Sequence, residues 1–332
     1  FHIVLTYFEP FHNEISMSTN EIKPLPSPAE DLSLDVENFP INGCANFGQI
    51  LDSTPCSELR DHINEHRPIN LDMFYPSKAE FKKNGRWQRY APGPGHNFLE
   101  GINLDFIEQN PSFTKLAEQV LGPNYSIMKK AIIRSVPEKF IPEWLFKAIE
   151  NVGRPNLNPF TFDHLQDVQY FYCTDYHQDK TRPESEFVTF YVYLDEVERN
   201  YSALRLLRGT HVSGMTTYPH SLRRSNIDHN RWFYTDQAGK TVQGHESDVT
   251  GSAGSVACFH GLTLHGTPIN SSDNPRISIR YLLSPDPEFK GDSLLNQANK
   301  NIFGQQSIAM PRCDIAEDGS YLPIGSSLAS YE

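Results

Sequence analysis

His177-Gln178-Asp179 sets an imidazole and a carboxylate two residues apart. On an extended segment, residues i and i+2 share a face, so both groups can meet one metal ion side by side. Alone, an H-x-D is a weak signal in a chain with 13 histidines, and a surface turn is its ordinary reading. It gains weight from His265, in the run GSVACFHGLTLHGTPIN, where an apolar stretch leads into glycine-flanked turn residues. Two imidazoles and one carboxylate on one face of an octahedron are the donor set of a non-haem iron(II) centre, which leaves three positions for reactants. His260 competes for the same place. A strand-end histidine hydrogen-bonded into the wall is the reading its position favours.

A third piece lies at Asn274-Pro275-Arg276-Ile277-Ser278. Arg276 and Ser278 share one face of a strand. An inward arginine is costly unless paired with an anion. A guanidinium fork matches a carboxylate, and a serine hydroxyl can add a further bond. Taken by itself, Arg276 reads more readily as half of an Arg–Asp or Arg–Glu structural pair at the end of a barrel. The three pieces together, in one order and at these spacings, have no such separate explanation.

Elements must hold these groups in place. Runs rich in β-branched and aromatic residues occur at 166–173, 187–195, 203–208, 254–259 and 275–283, with a further strand at 126–134. Short strands with long connections indicate a sandwich or jelly roll. Helical signals precede them. Thr54-Pro55 reads as a cap and first turn running towards His66, Asn110-Pro111 opens a helix that Gly122 closes, and 137–151 holds another, started by Pro142. The polar stretch 214–253 is expected to be a long connection. Residues 20–40, with Pro24, Pro26 and Pro28, read as an extended arm. The expected organisation is an N-terminal arm over 1–40 and a single domain over 41–332, its barrel core at about 125–285.

The bulk properties exclude several classes. A formal net charge of −12 argues against a nucleic-acid scaffold, which needs a basic face. The five cysteines are widely spaced without a CxxC and are expected to be reduced thiols of a cytoplasmic protein. No apolar run is long enough to span a bilayer. Residues 1–8 lack the basic lead of a signal peptide, and Met17 is a candidate natural start. No phosphate-binding loop, dinucleotide fingerprint or nucleophile elbow occurs.

The residues YHQD at 176–179, LRLLRGTH at 204–211 and LHGTPINSSDNPRISIRYLL at 264–283 resemble the phytanoyl-CoA dioxygenase-like family of oxygenases. The middle run departs from the family's Leu-x-x-x-Pro-Gly-Ser-His turn, with Arg208 for proline and Thr210 for serine. The resemblance implies a β-rich α+β fold: a double-stranded β-helix (jelly roll) barrel with flanking N-terminal helices. It implies iron(II), 2-oxoglutarate and dioxygen as cofactor and co-substrates, with His177, Asp179 and His265 on the iron. Arg276 would bind the distal carboxylate of 2-oxoglutarate, with Ser278 beside it, and Thr267 matches a family hydroxyl that can touch it. Lys129 or Lys130 could assist, although a solvated strand-edge lysine is the plainer reading of each. Asp179 stands where halogenases leave room for a halide, so hydroxylation, desaturation or oxidative ring closure is implied.

The substrate is less legible. The expectation is a small carboxylated metabolite, with Arg205, Arg208 or Arg280 as anion holder. The chain is also similar to the algal kainoid synthases of this family, which close a pyrrolidine ring on an N-prenylated glutamate. An acyl-CoA substrate would want a basic rim, to which Arg223 and Arg224 could contribute. Trp87, Trp144, Trp232 and the run Tyr170-Phe171-Tyr172 could line a pocket, though aromatics at strand spacing are usually core. A non-catalytic jelly-roll module, or a cupin-like metalloprotein in which Arg276 is structural, would keep the strands without the 2-oxoglutarate chemistry.

Overall fold

The strands, in chain order, are β1 (Cys44–Gln49), β2 (Ser126–Ser135), β3 (Gln169–Phe171), β4 (Thr174–His177), β5 (Val188–Tyr193), β6 (Leu204–Arg208), β7 (Leu222–Arg224), β8 (Arg231–Thr235), β9 (Thr241–Val249), β10 (Ser255–His260), β11 (His265–Thr267) and β12 (Arg276–Ser284). They form two six-stranded sheets, in the orders β1-β10-β5-β12-β2-β3 and β4-β11-β6-β9-β8-β7. The computed structural model describes residues 34–85, 92–150, 156–180, 182–216, 222–235 and 241–304. Every strand pair is antiparallel except β2–β3. The two sheets face one another as the expected jelly-roll double-stranded β-helix, with helices packed on one side.

The alternation along each central strand explains the layering. In β12, Ile277, Ile279, Tyr281 and Leu283 join a core shared with the helices, as do Val188, Phe190 and Val192 of β5. The intervening residues turn the other way. Tyr191, Tyr193, Ile133, Ala257 and Phe259 meet Leu204 and Leu206 of the second sheet. Arg276, Ser278 and Arg280 therefore point between the sheets, where a purely structural strand would carry apolar groups.

Helix boundaries follow local chemistry. Asn110 caps the helix Pro111–Leu121 by accepting from the Ser112 and Phe113 amides, and Gly122 ends it at φ +90°. The helix Ser53–His66 is capped by Asp52, which accepts from the Thr54 amide, so it begins ahead of the expected Thr54-Pro55 start. Among the described residues of the 137–151 segment, only Glu143–Ile149 is α-helical, with Pro142 at its N-cap, after a 3₁₀ turn at Glu138–Phe140.

Two further expectations change. The stretch 214–253 is not one loop. It contains β7, β8 and the nine-residue β9, which widen the second sheet. Its polar residues misled because these strands carry a polar network, with Glu246 accepting from Tyr176 Oη and Trp232 Nε1 and pairing with Arg224 at 3.5 Å. The described end of the proline-rich arm is helical at Val36–Asn38 and Phe39–Asn42, and Phe39 is buried. Residues 1–33 lie outside the described residues. No helix among the described residues is long and apolar enough to cross a membrane.

Candidate active site

His177 ends β4 and His265 opens β11, and the antiparallel register sets the two directly opposite each other. Their rings are 4.2 Å apart at the centroids. Asp179 lies two residues past the end of β4. Its amide and that of Lys180 donate to the Gly261 carbonyl at 3.1 and 2.8 Å, which fixes the turn. Space at Gly261 is tight, since a Cβ would lie 3.1 Å from the Lys180 Cβ and 3.2 Å from the Phe187 ring. The carboxylate oxygens then stand 3.7 Å from His177 Nε2 and 3.7 Å from His265 Nε2. Ligand atoms of all three residues lie within 4.8 Å of one another.

The imidazoles are oriented by backbone. His177 Nδ1 lies 2.9 Å from the Asp175 carbonyl, and His265 Nδ1 lies 3.0 Å from that of Thr263. A carbonyl only accepts, so each Nδ1 carries the proton. In the neutral ring each Nε2 then keeps its lone pair towards the carboxylate, the arrangement metal-binding histidines adopt. Thr189 of β5 donates to Asp179 Oδ2 at 3.4 Å.

Across the cavity stands Arg276, only 1% exposed. Its Nη1 donates to Tyr191 Oη at 3.3 Å and to Ser278 Oγ at 3.4 Å. The guanidinium lies 5.5 and 6.0 Å from the rings of Tyr191 and Tyr193. Burial pulls its pKa down, but the two tyrosine hydroxyls outweigh this and hold it above the ordinary arginine value. Among the described residues no carboxylate comes within ion-pair distance of Arg276, and its Nε has no hydrogen-bond partner. The Arg–Asp or Arg–Glu structural pair is therefore not formed. A buried guanidinium held only by hydroxyls fits an anion in the cavity.

That cavity is bounded by His177, His265 and Thr267 on one sheet and by Tyr191, Arg276 and Arg280 on the other. Thr267 donates to Thr174 Oγ1 at 3.1 Å. The remaining residues weighed from the sequence lie elsewhere. His260 is held by Asn299 Oδ1 at 3.1 Å and accepts from the Leu262 amide at 3.0 Å, as a wall histidine. Lys130 pairs with Glu108 at 2.7 Å. Arg205 pairs with Asp248 at 2.9 Å, and Arg208 contacts His245 Nδ1 at 2.8 Å. Arg224 sits over Trp232 and 3.5 Å from Glu246, so it is not a free basic rim. Trp144 and Trp232 pack in cores, Phe171 lines the cavity, and Trp87 lies outside the described residues. The Arg208-Gly209-Thr210 turn holds despite its substitutions. Gly209 takes φ +79°, and the Thr210 hydroxyl donates to the Leu207 carbonyl at 2.7 Å while accepting from the Leu264 amide at 2.9 Å.

Sequence reasoning missed Thr189, Tyr191 and Thr174. The period-two alternation of VTFYVY carried the signal for the first two, once its inward face was known.

A jelly roll with two imidazoles and a carboxylate at its mouth, and a buried arginine on the facing sheet, has the architecture of the non-haem iron oxygenases that use 2-oxoglutarate. The sequence model of the phytanoyl-CoA dioxygenase (PhyH) family matches residues 42–278, and the chain belongs to that family. It is accordingly a 2-oxoglutarate-dependent dioxygenase working with iron, 2-oxoglutarate and dioxygen. No curated protein sequence matches the chain. Among solved structures, SnoK, a non-heme alpha ketoglutarate dependent carbocyclase from nogalamycin biosynthesis, is 14% identical over 79% of this chain and 87% of its own, with a TM-score of 0.42. The epimerase SnoN, in complex with Fe3+, alpha ketoglutarate and nogalamycin RO, is 14% identical over 78% and 91%, at 0.44. EvdO2 from Micromonospora carbonacea var. aurantiaca is 16% identical over 78% and 93%, at 0.43. At these values the likeness bears on neither substrate nor reaction.

Proposed function

We propose that His177, Asp179 and His265 hold iron(II), that Arg276 and Ser278 bind the distal carboxylate of 2-oxoglutarate with Thr267 alongside, and that the enzyme oxidises an unactivated C–H of a small carboxylated metabolite. The observation that carries this is the buried Arg276 guanidinium, with only hydroxyl partners, in the cavity that the two imidazoles also line. Bound iron with 2-oxoglutarate and dioxygen supplies the oxidising power, and 2-oxoglutarate leaves as succinate and carbon dioxide. The protein's part is positional. The Asp175 and Thr263 carbonyls keep both Nε2 atoms available as donors, and Thr189 steadies the carboxylate. The apolar walls, Phe259 and Leu204 among them, keep water from the reacting carbon. Asp179 occupies the place a halide would need, which leaves hydroxylation, desaturation or ring closure of the kainoid kind as outcomes.

An acyl-CoA substrate is the weaker reading, because Arg224 is already engaged by Glu246 and Trp232. We read residues 41–332 as one oxygenase domain and 1–40 as an arm, whose described end packs onto that domain through the buried Phe39. Asn301 donates to the Pro40 carbonyl at 2.8 Å, which ties the two ends of the described chain together. Among the described residues the four cysteines are free, buried thiols, which supports a cytoplasmic setting. The test is succinate release from 2-oxoglutarate, followed by mass spectrometry with small amino-dicarboxylates and acyl-CoAs offered in parallel. Stimulation by the former, abolished in His177→Ala, supports the reading; stimulation by acyl-CoAs alone overturns the substrate class.

A further inference from the structure

Two arginines four residues apart on β12 face one cavity, and the reading above uses only one of them. Arg276 lies deep, against Tyr191 and Tyr193. Arg280 is more open, with its side chain 16% exposed, and its Nη1 is 3.8 Å from Asp179 Oδ2. That oxygen belongs to the residue whose charge a metal ion would take. A metal ion would share that charge and weaken the attraction across this already long 3.8 Å contact, which leaves Arg280 donors for a further anion. The other arginines weighed as anion holders are already engaged, Arg205 by Asp248 and Arg208 by His245.

The charges of the cavity point the same way. Arg276, Arg280 and a divalent ion together carry four positive charges. Asp179 cancels one and doubly charged 2-oxoglutarate cancels two, so one remains. Apart from Asp179 at its edge, no aspartate or glutamate is among the described residues that line the cavity. Asp195, the acid whose charge Arg276 senses, also faces Arg60 at 3.7 Å. A residual positive charge in a poorly solvated cavity favours an anionic guest and disfavours a neutral one.

We propose that Arg280 is the recognition site for a carboxylate of the substrate, held at the Asp179 end of the cavity, four residues along β12 from Arg276. This rests on the 2-oxoglutarate reading of the site. It makes Arg280 a specificity-determining residue: it selects an acid over its neutral isostere and sets which carbon stands nearest the oxidant.

The test uses the whole protein, loaded without oxygen with iron(II) and saturating 2-oxoglutarate so that Arg276 is already engaged. Hexanoate and its neutral isostere hexanamide are then titrated by calorimetry. Hexanoate is expected to bind about tenfold or more tightly than hexanamide, as a charge-assisted hydrogen bond implies. Arg280→Met should remove that preference while leaving 2-oxoglutarate affinity within about twofold of wild type, and Arg280→Lys should keep part of it. Thermal melts of both variants check that the fold is intact. A preference that is missing in wild type, or that survives in Arg280→Met, overturns the proposal. So does an Arg280→Met variant that loses 2-oxoglutarate binding as Arg276→Met does, since Arg280 would then hold the co-substrate's own carboxylate and the oxygenase reading would stand. A wild-type protein that binds iron but no 2-oxoglutarate instead refutes the oxygenase reading, and this inference with it.

Discussion

Replacing Arg276 by methionine separates a ligand-binding arginine from a structural one. In the ligand-free protein the guanidinium is 1% exposed and makes two long bonds, at 3.3 and 3.4 Å, to hydroxyl groups. A buried charge held that loosely adds little to the fold, and an apolar side chain of similar length is often neutral or better there. Arg276→Met should therefore leave the ligand-free stability within about 1 kcal/mol of wild type, or raise it. Its effect on 2-oxoglutarate should be much larger. A carboxylate accepting from the fork gains charge-assisted bonds in a desolvated site, and losing them costs about 3 kcal/mol, or roughly 150-fold in dissociation constant. Arg276→Lys should fall between, because it keeps the charge and loses the fork. Calorimetry of 2-oxoglutarate binding to the iron-loaded variants, beside thermal denaturation of the ligand-free ones, gives both numbers. An unchanged 2-oxoglutarate affinity, or a loss of several kcal/mol of ligand-free stability, would refute the reasoning, because Arg276 would then be holding the fold together.

Two further outcomes concern the scaffold. Ile279 lies between Arg276 and Arg280 in register terms but points to the opposite, helix-covered face and is fully buried, so Ile279→Ala should cost about 2–5 kcal/mol in thermal or urea denaturation while leaving 2-oxoglutarate affinity unchanged. Burial lowers the pKa of His211 to about 4; burial, with the charge of His211 second, lowers that of His260 to about 3, both from 6.5. Below pH 6.5 the unfolded chain takes up protons that the folded one refuses, so stability is full above that pH and falls progressively towards pH 4 and 3. His260→Asn should flatten that fall, and a denaturation series at pH 7, 6, 5 and 4 that is as steep in the variant as in wild type would count against it.

Much of the candidate site was legible because its signals are local. The H-x-D spacing needs only an extended backbone, and the Arg276–Ser278 pair needs only period two. That His177 and His265 stand opposite each other depends on the β4–β11 register, which residues far apart in sequence determine. The partners of Arg276 were illegible for the same reason: Tyr191 reaches it from β5, a neighbouring strand of the sheet. The strands at 222–249 were hidden because their charged residues face one another across the sheet, as Arg205 and Asp248 do, and so read as loop polarity. Arg280 was one of three equivalent arginines in the sequence; what the other two pair with sets it apart.

The central claim is that this cluster binds iron and 2-oxoglutarate together. The most direct measurement is the visible metal-to-ligand charge-transfer band that 2-oxoglutarate gives when it chelates iron(II), recorded without oxygen on the metal-free protein after iron and then 2-oxoglutarate are added. A saturable band is expected in wild type and none in His177→Ala or His265→Ala at the same concentrations. No band in wild type despite bound iron, or an undiminished band in either histidine variant, would contradict it.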